Sequence, residues 1–297
     1  MTILITGGSG LVGKALCHQL RHQGHVLKLL TRHEPTTQEE FRWDLTKKYI
    51  DPKAFEGVQS IVHLAGAPIS QRWTDKNKRE MYASRVDAAN LLHHYVKQAG
   101  IQLDSFISAS GINYYGTFTG NQLLTEEDGV LHHDFLSDLC VAWEQAAEQF
   151  RDVAERVVYL RTSMVLSNKG GALPQLLQIV NLNLSAPVGS GKQWMNWIHL
   201  EDMVNMYIAA IENTKLDGPH NALADEVPSN ADFMKQLAHA RHKIFLPIPV
   251  PSFVLKLIFG DMSAVLLTGT RADNSKIKNA DFSFKYKKLS AALGDLV

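Results

Sequence analysis

The first thirteen residues constrain the fold more than any other stretch of the chain. A short apolar run, Ile3-Leu4-Ile5-Thr6, leads straight into Gly7-Gly8-Ser9-Gly10-Leu11-Val12-Gly13. Leu11, Ala15, Leu16 and Leu20 then recur at helical spacing, and Gly24 follows as a stop. Gly8, Gly10 and Gly13 satisfy G-x-G-x-x-G, while Gly7, Gly10 and Gly13 satisfy the wider G-x-x-G-x-x-G. The glycines serve three physical ends, which are a tight turn, close backbone approach to a pyrophosphate, and close packing of helix on strand. The unpaired amides at the start of the helix, with Leu11 and Val12 in its first turn, and the positive end of its dipole then suit phosphate. The bland alternative is a structural glycine turn. A strand before and a helix after are the context that a dinucleotide site requires.

The first half alternates such elements. Strand-like runs at Ile3–Thr6, Val26–Thr31, Ser60–Leu64, Ser105–Ala109 and Arg156–Arg161 are separated by helical stretches at Asp75–Ala99 and Ser137–Val153. That order predicts βαβ units: an α/β, doubly wound parallel sheet of Rossmann type with helices on both faces. The pattern changes after Arg161. Gly, Asn and Ser surround the apolar run Leu173–Val180, and Pro247, Pro249 and Pro251 precede a helical segment at Ser252–Phe259. The predicted organisation is a Rossmann domain over 1–166, with a return segment near 196–224. A smaller mixed substrate-binding region then covers 167–195 and 225–297.

Composition removes several classes of function. Thirty basic and thirty acidic side chains cancel, so nothing suggests nucleic acid or an anionic membrane surface as a partner. Cys17 and Cys140 are the two cysteines, and no Cys/His cluster has metal-ligand spacing, so no metal is expected. The N-terminal run shows no export signal, and no apolar stretch approaches the ~20 residues that span a bilayer. A cytoplasmic protein working on a small-molecule substrate is the expectation.

The second strand-like run speaks to the cofactor. NAD sites place Asp or Glu at its end to hold the ribose 2′-hydroxyl, and NADP sites use a nearby arginine. Here it ends Leu29-Leu30-Thr31-Arg32-His33, with Thr31 at the acidic position and Arg32 directly after it. A guanidinium binds a 2′-phosphate that a carboxylate would repel. Glu34 comes one residue late but could swing in, and Arg32 could be an ordinary surface arginine. NADP(H) is the predicted cofactor.

Several motifs carry a resemblance. Thr6–Gly13, Val62-His63-Leu64-Ala65-Gly66, Tyr114-Tyr115-Gly116, Leu160-Arg161-Thr162 and Trp197-Ile198-His199-Leu200-Glu201-Asp202 resemble the extended short-chain dehydrogenase/reductases, the nucleotide-sugar epimerase/dehydratase group. The chain is also similar to the branch called epimerase family proteins. That resemblance rests on Arg72-Trp73-Thr74, Ser84-Arg85, Gly189-Ser190-Gly191 and a small C-terminal domain from near Leu246. The resemblance implies that Trp43-Asp44-Leu45 lies near the adenine and that Leu64, Ala65 and Gly66 line the cofactor. It also implies that Ser108 and Ser110 follow the active-site strand, and that a homodimer is an option.

One departure from the family matters. The superfamily keeps a Tyr-x-x-x-Lys pair on the helix after the active-site strand, but that helix here reads Phe135-Leu136-Ser137-Asp138-Leu139-Cys140. A phenyl ring exchanges no proton. Ser110, Tyr114 and Tyr115 become the catalytic candidates, although aromatic packing accounts for the tyrosines equally well. His199 is either an acid–base group beside the substrate or a helix cap. Arg85 and Arg161 are read with the cofactor site and, with Arg72, as an anion-binding wall. Asp202 either pairs with Arg161 or holds a chain crossover, and Trp197 lines a substrate pocket or fills the core. Two functions follow. One is an NADP(H)-binding epimerase or oxidoreductase acting on a small polar, nucleotide-sugar-like substrate without the usual Tyr/Lys pair. The other is a non-catalytic NADP(H) sensor. Fold analogy does not choose between them.

Overall fold

Alternation along the apolar runs assigns each strand residue to one of two faces. In the computed structural model, which describes residues 1–297, Ile3 and Ile5 point to one layer of helices and Leu4 to the other. The strands are β1 (Thr2–Thr6), β2 (Val26–Thr31), β3 (Glu40–Asp44), β4 (Tyr49–Ile50), β5 (Ser60–His63), β6 (Leu103–Gly111), β7 (Thr119–Leu124), β8 (Ala154–Thr162), β9 (Met164–Leu166), β10 (Trp197–His199), β11 (Gly218–Ala222) and β12 (Gly269–Ala272). Eight form one sheet in the order β11-β8-β6-β5-β1-β2-β3-β4, all parallel except the β3–β4 pair. Strands buried on both faces read as continuous apolar runs, which is how they stand out in the sequence.

Helices α1 (Leu11–His22), α2 (Asp75–Tyr82), α3 (Ala88–Ala99), α4 (Phe135–Glu148), α5 (Ala172–Asn181) and α6 (Leu200–Glu212) follow in chain order. α1 and α6 cover one face through Leu16, Leu20, Met203 and Tyr207. α3 and the end of α4 cover the other through Leu92, Val96, Ala147 and the stacked pair Phe106–Phe150. α7 (Asn230–Ala240), α8 (Ser252–Phe259), α9 (Ser263–Leu267), α10 (Ser275–Asn279) and α11 (Leu289–Leu296) complete the chain. Trp197, Phe233, Leu237 and Leu293 join α5, α7 and α11 in a separate core. β11 returns to the edge of the large sheet beside β8, while β9 pairs with β10 and β7 with β12 in two small sheets. No helix is long and apolar enough to cross a membrane.

Two differences from the sequence reading matter for the site. β3 is missing from the apolar strand-like runs because Glu40, Arg42 and Asp44 alternate with its apolar residues and only Trp43 is buried. The segment Asp75–Ala99, which periodicity reads as one helix, is broken by a π-type turn at Ala83–Asp87. That turn contains no Gly or Pro, so nothing local announces it. It swings Arg85 into the interior, where only 6% of the residue remains exposed.

The glycine turn packs as the spacing requires. Gly7 has φ +72°, a backbone conformation that favours glycine, and Gly10 donates its amide to the Gly7 carbonyl at 3.0 Å. A β-carbon on Gly13 would overlap the Gly7 carbonyl oxygen and the Gly8 α-carbon, both of them backbone. Gly13→Ala is therefore expected to cost about 1–3 kcal/mol through forced backbone displacement. Urea unfolding of the variant, with a lowered midpoint and unchanged slope, checks this.

Candidate functional site

The C-terminal ends of β1 and β5 meet at one hydroxyl. Thr6 Oγ1 accepts from the Leu64 and Ala65 amides at 3.2 and 3.1 Å and lies 2.8 Å from His63 Nδ1. The other ring nitrogen, Nε2, is 3.1 Å from the Arg85 carbonyl oxygen, which can only accept. Nε2 therefore carries the hydrogen, Nδ1 accepts from Thr6, and the ring is neutral. Burial pushes His63 down to about 4, in keeping with that tautomer. This chain of hydrogen bonds joins the strand leading into the glycine turn, the loop after β5 and the π-type turn.

Two cavities open on either side of that junction and share Gly7, Gly10 and Leu64. The α1 amides between them face no competing acid: Gly10 supplies no side-chain cap and the first turn holds no Asp or Glu. The cavity on the β2 side, about 590 Å³, is lined by Gly8, Thr31, Arg32, Asp44, Ala65 and Gly66 among others. Arg32 is exposed and makes no ion pair with any carboxylate, while Glu34 is drawn to Arg42 at 3.2 Å. Thr31 Oγ1 accepts the His33 amide. Asp44 Oδ1 accepts the amides of Thr46 and Lys47, so its charge serves a turn. The sequence-derived candidates at the ends of β1, β2, β3 and β5 thus converge on one cleft.

The cavity on the α4 side, about 360 Å³, is lined by Leu11, Val12, Arg85, Ser110, Asn113 and Cys140 among others. Leu139 and Trp143 wall it with apolar surface. Phe135 lies against Trp73, ring centroids 5.2 Å apart, and belongs to a small apolar cluster with Leu136 and Leu139. Burial holds the Cys140 thiol protonated, pushed up to about 12. Ser110 donates its hydroxyl hydrogen to Glu144 Oε1 at 2.7 Å, leaving its oxygen lone pairs as acceptors.

Several candidates sit elsewhere. Arg161, 2% exposed, is held by Glu144 through two bonds of 2.9 Å, so its partner is Glu144 and not Asp202, and it does not line either cavity. Its third contact is the Tyr115 hydroxyl at 3.1 Å. Tyr115 is fully buried, lies within reach of Thr125 O and Asn221 Oδ1, and is pushed up to about 12 by burial. Its hydroxyl is saturated by the protein and lines neither cavity. Tyr114 lies with its ring 3.5 Å from the Arg161 guanidinium carbon, which makes it a packing partner. Ser108 is buried mid-sheet between His63 and Tyr159, its hydroxyl donating to the Ala109 carbonyl.

The three expected substrate residues hold the C-terminal region in place. Trp197 is fully buried and donates its indole N–H to Glu226 O at 2.7 Å. His199 caps α6 by accepting the Glu201 amide, with its ring 3.8 Å from that of Tyr286. Asp202 accepts the Lys285 and Tyr286 amides at 2.8 and 2.9 Å. Arg72 is exposed and reaches the Ile258 carbonyl on α8. Sequence reasoning missed Glu144 and Asn113. Glu144 had one signal, an acid on α4 four residues after Cys140, available to answer the charge of Arg161 at the end of an apolar strand.

The neutral His63 ring has a consequence for stability. Its folded pKa lies below the unfolded value near 6.5, so the unfolded chain takes up the proton first as pH falls. Stability present above pH 6.5 is lost down to about pH 4, at roughly 1.4 kcal/mol per pH unit for such a ring. His220, also lowered to about 4 by burial, adds to the same slope. Denaturation curves at stepwise pH should show a shallower acid slope in His63→Gln than in wild type.

Comparison with known proteins fits this geometry. The family model for the NAD dependent epimerase/dehydratase family matches residues 3–223, and a model for a domain of unknown function matches residues 250–296. An epimerase family protein of Mycobacterium bovis is 35% identical over 294 residues, 98% of this chain and 96% of the relative. The crystal structure of the human epimerase family protein SDR39U1 (isoform 2) with NADPH superposes with a TM-score of 0.89 at 29% identity, covering 100% of this chain and 99% of that one. A nucleoside-diphosphate sugar epimerase from Corynebacterium glutamicum gives a TM-score of 0.81 at 31% identity, covering 99% of this chain and 57% of that one. The chain belongs to the NAD dependent epimerase/dehydratase family.

Proposed function

We propose that this protein is an NADP(H)-dependent oxidoreductase of the epimerase type, acting on a small polar substrate without a Tyr/Lys pair. The observation that carries the reading is the cleft running from Arg32 past the glycine turn to Ser110. The first-turn amides of α1 suit the pyrophosphate, the β2-side cavity suits the adenosine half, and Arg32 suits a 2′-phosphate. That the human relative was solved with NADPH supports the same cofactor here. Bound there, the cofactor supplies hydride chemistry, and the protein supplies orientation and exclusion of water.

In the α4-side cavity the chain's own polar side chains are Arg85, Ser110, Asn113, Thr162, Ser163 and Tyr207. Ser110 is held by Glu144, whose charge Arg161 already neutralises, so Ser110 faces a ligand as a fixed hydrogen-bond acceptor. It can orient a substrate hydroxyl, and Asn113 lines the same space. The second reading, an NADP(H) sensor without turnover, draws on Phe135 and Leu139, which present only hydrocarbon at the cavity and its flank.

NADPH is expected to raise the melting temperature, with ~2.7 kcal/mol gained at 100-fold over its dissociation constant. Gly10→Val should lose that shift, because the added side chain occupies the pyrophosphate position. Arg32→Ala should weaken NADPH by roughly 1.5–3 kcal/mol and leave NADH nearly unchanged. A wild type that binds both cofactors equally would overturn the NADP(H) assignment.

Catalysis is tested separately by a screen of carbonyl and nucleotide-sugar compounds that follows NADPH oxidation. With a substrate in hand, Ser110→Ala should lower kcat/KM by about threefold to tenfold, the loss of one neutral orienting hydrogen bond. Tyr114→Phe should match wild type. Full activity in Ser110→Ala would refute its role. A blank screen beside tight NADPH binding would favour the sensor.

A further inference from the structure

The protein buries two guanidinium groups and treats them differently. Arg161 is answered by a carboxylate, two oxygens against two nitrogens. Arg85 is not. Its Nη1 donates to the Met81 carbonyl at 3.1 Å and its Nη2 to the Ala67 carbonyl at 3.0 Å, while Nε is buried with no partner at all. The guanidinium is clamped between Gly66, where a β-carbon would stand 2.8 Å from its central carbon, and the Trp143 ring at 4.9 Å. No carboxylate of the chain makes an ion pair with it, and burial lowers it only to about 10, so it is charged at neutral pH. Breaking a buried pair by removing one partner is strongly destabilising, because the charge left behind is uncompensated. The fold nevertheless uses a π-type turn to place this cation in the wall of the α4-side cavity.

We propose that Arg85 is the substrate anchor of that cavity and that the group it takes is a carboxylate. This rests on the cofactor reading above, which puts the pyrophosphate at the glycine turn and leaves Arg85 for the substrate. Charge decides the class of ligand. A phosphate ester carries about −1.5 to −2 near neutral pH, and one guanidinium would leave much of that charge buried among Leu136, Leu139 and Trp143. A carboxylate carries a single negative charge, which one arginine neutralises through charge-assisted hydrogen bonds. Ser110 lines the same cavity and accepts hydrogen bonds, so it complements a hydroxyl near that carboxylate. The substrate class is a hydroxy acid or the corresponding oxo acid.

The test titrates wild-type protein with acetate, oxamate and inorganic phosphate at constant ionic strength, with and without saturating NADPH. Melting temperature and tryptophan fluorescence report binding, since Trp143 lies against the guanidinium. Saturable stabilisation by oxamate or acetate is expected. Arg85→Gln should weaken it by about tenfold or more, Arg85→Lys should retain part of it, and NADPH affinity should hold in both. If Arg85→Gln does not fold, Arg85→Lys and the wild-type titration decide. Four results overturn the proposal: protection by phosphate alone, no saturable carboxylate effect on wild type, equal carboxylate binding in both variants and wild type, or NADPH binding weakened as much as carboxylate binding. A wild type that fails to bind NADPH sinks the cofactor reading instead, and the titration without NADPH still settles Arg85.

Discussion

Thr6 Oγ1 receives two backbone amides and gives its hydrogen to a neutral, buried histidine, whose other nitrogen holds the carbonyl of a residue in a helix on the far side of the sheet end. Everything at the functional end depends on that small network. It fixes where β1 stops and the glycine turn begins. It turns the Leu64–Gly66 loop back over the turn, and it ties the π-type turn that carries Arg85. Because Thr6 and His63 are fully buried and both ring nitrogens and the hydroxyl are paired, the network has little freedom to rearrange. The two cavities that meet at Gly7 inherit their shape from it.

The second organising pair, Arg161 with Glu144, does its work out of reach of ligand. It joins β8 to α4 and draws Ser110, Tyr115 and Asn221 into one set of hydrogen bonds. Catalytic-looking residue types are thereby consumed as structure. Of Ser110, Tyr115 and Asn221, only Ser110 lines a cavity, and it does so with its hydrogen already committed. Hydrocarbon from Leu136, Leu139 and Trp143 walls the α4-side cavity, whose other hydroxyls are those of Thr162, Ser163 and Tyr207. Arg85 is the one charged side chain in that lining, which is why the proposed substrate role falls to it.

The cofactor-side candidates could be named from the sequence because their signals are local. Gly7, Gly10 and Gly13 are close in sequence, and so are Thr31 and Arg32. The strand–turn–helix unit around them is built from neighbours. Farther from the turn the sequence left two readings open: Asp202, His199 and Trp197 sit in a distinctive motif, and in the fold their polar atoms serve α6 and the C-terminal segment. Asp202 binds the amides of Lys285 and Tyr286, more than eighty positions away. No spacing rule anticipates a partner at that separation.

By itself the sequence determined the layered α/β architecture, since strand and helix periodicity and the glycine turn are short-range properties of the chain. It also placed a cation, Arg32, directly after Thr31 at the end of the second strand. Tertiary structure alone decided which buried charges are answered within the protein and which are not. Glu144 and Arg161 neutralise each other across α4 and β8, whereas Arg85 arrives in the interior through a π-type turn with no acid to meet it. The difference lies in the desolvation of a charge, which depends on what the fold brings within a few ångströms and which no residue carries in its own letter.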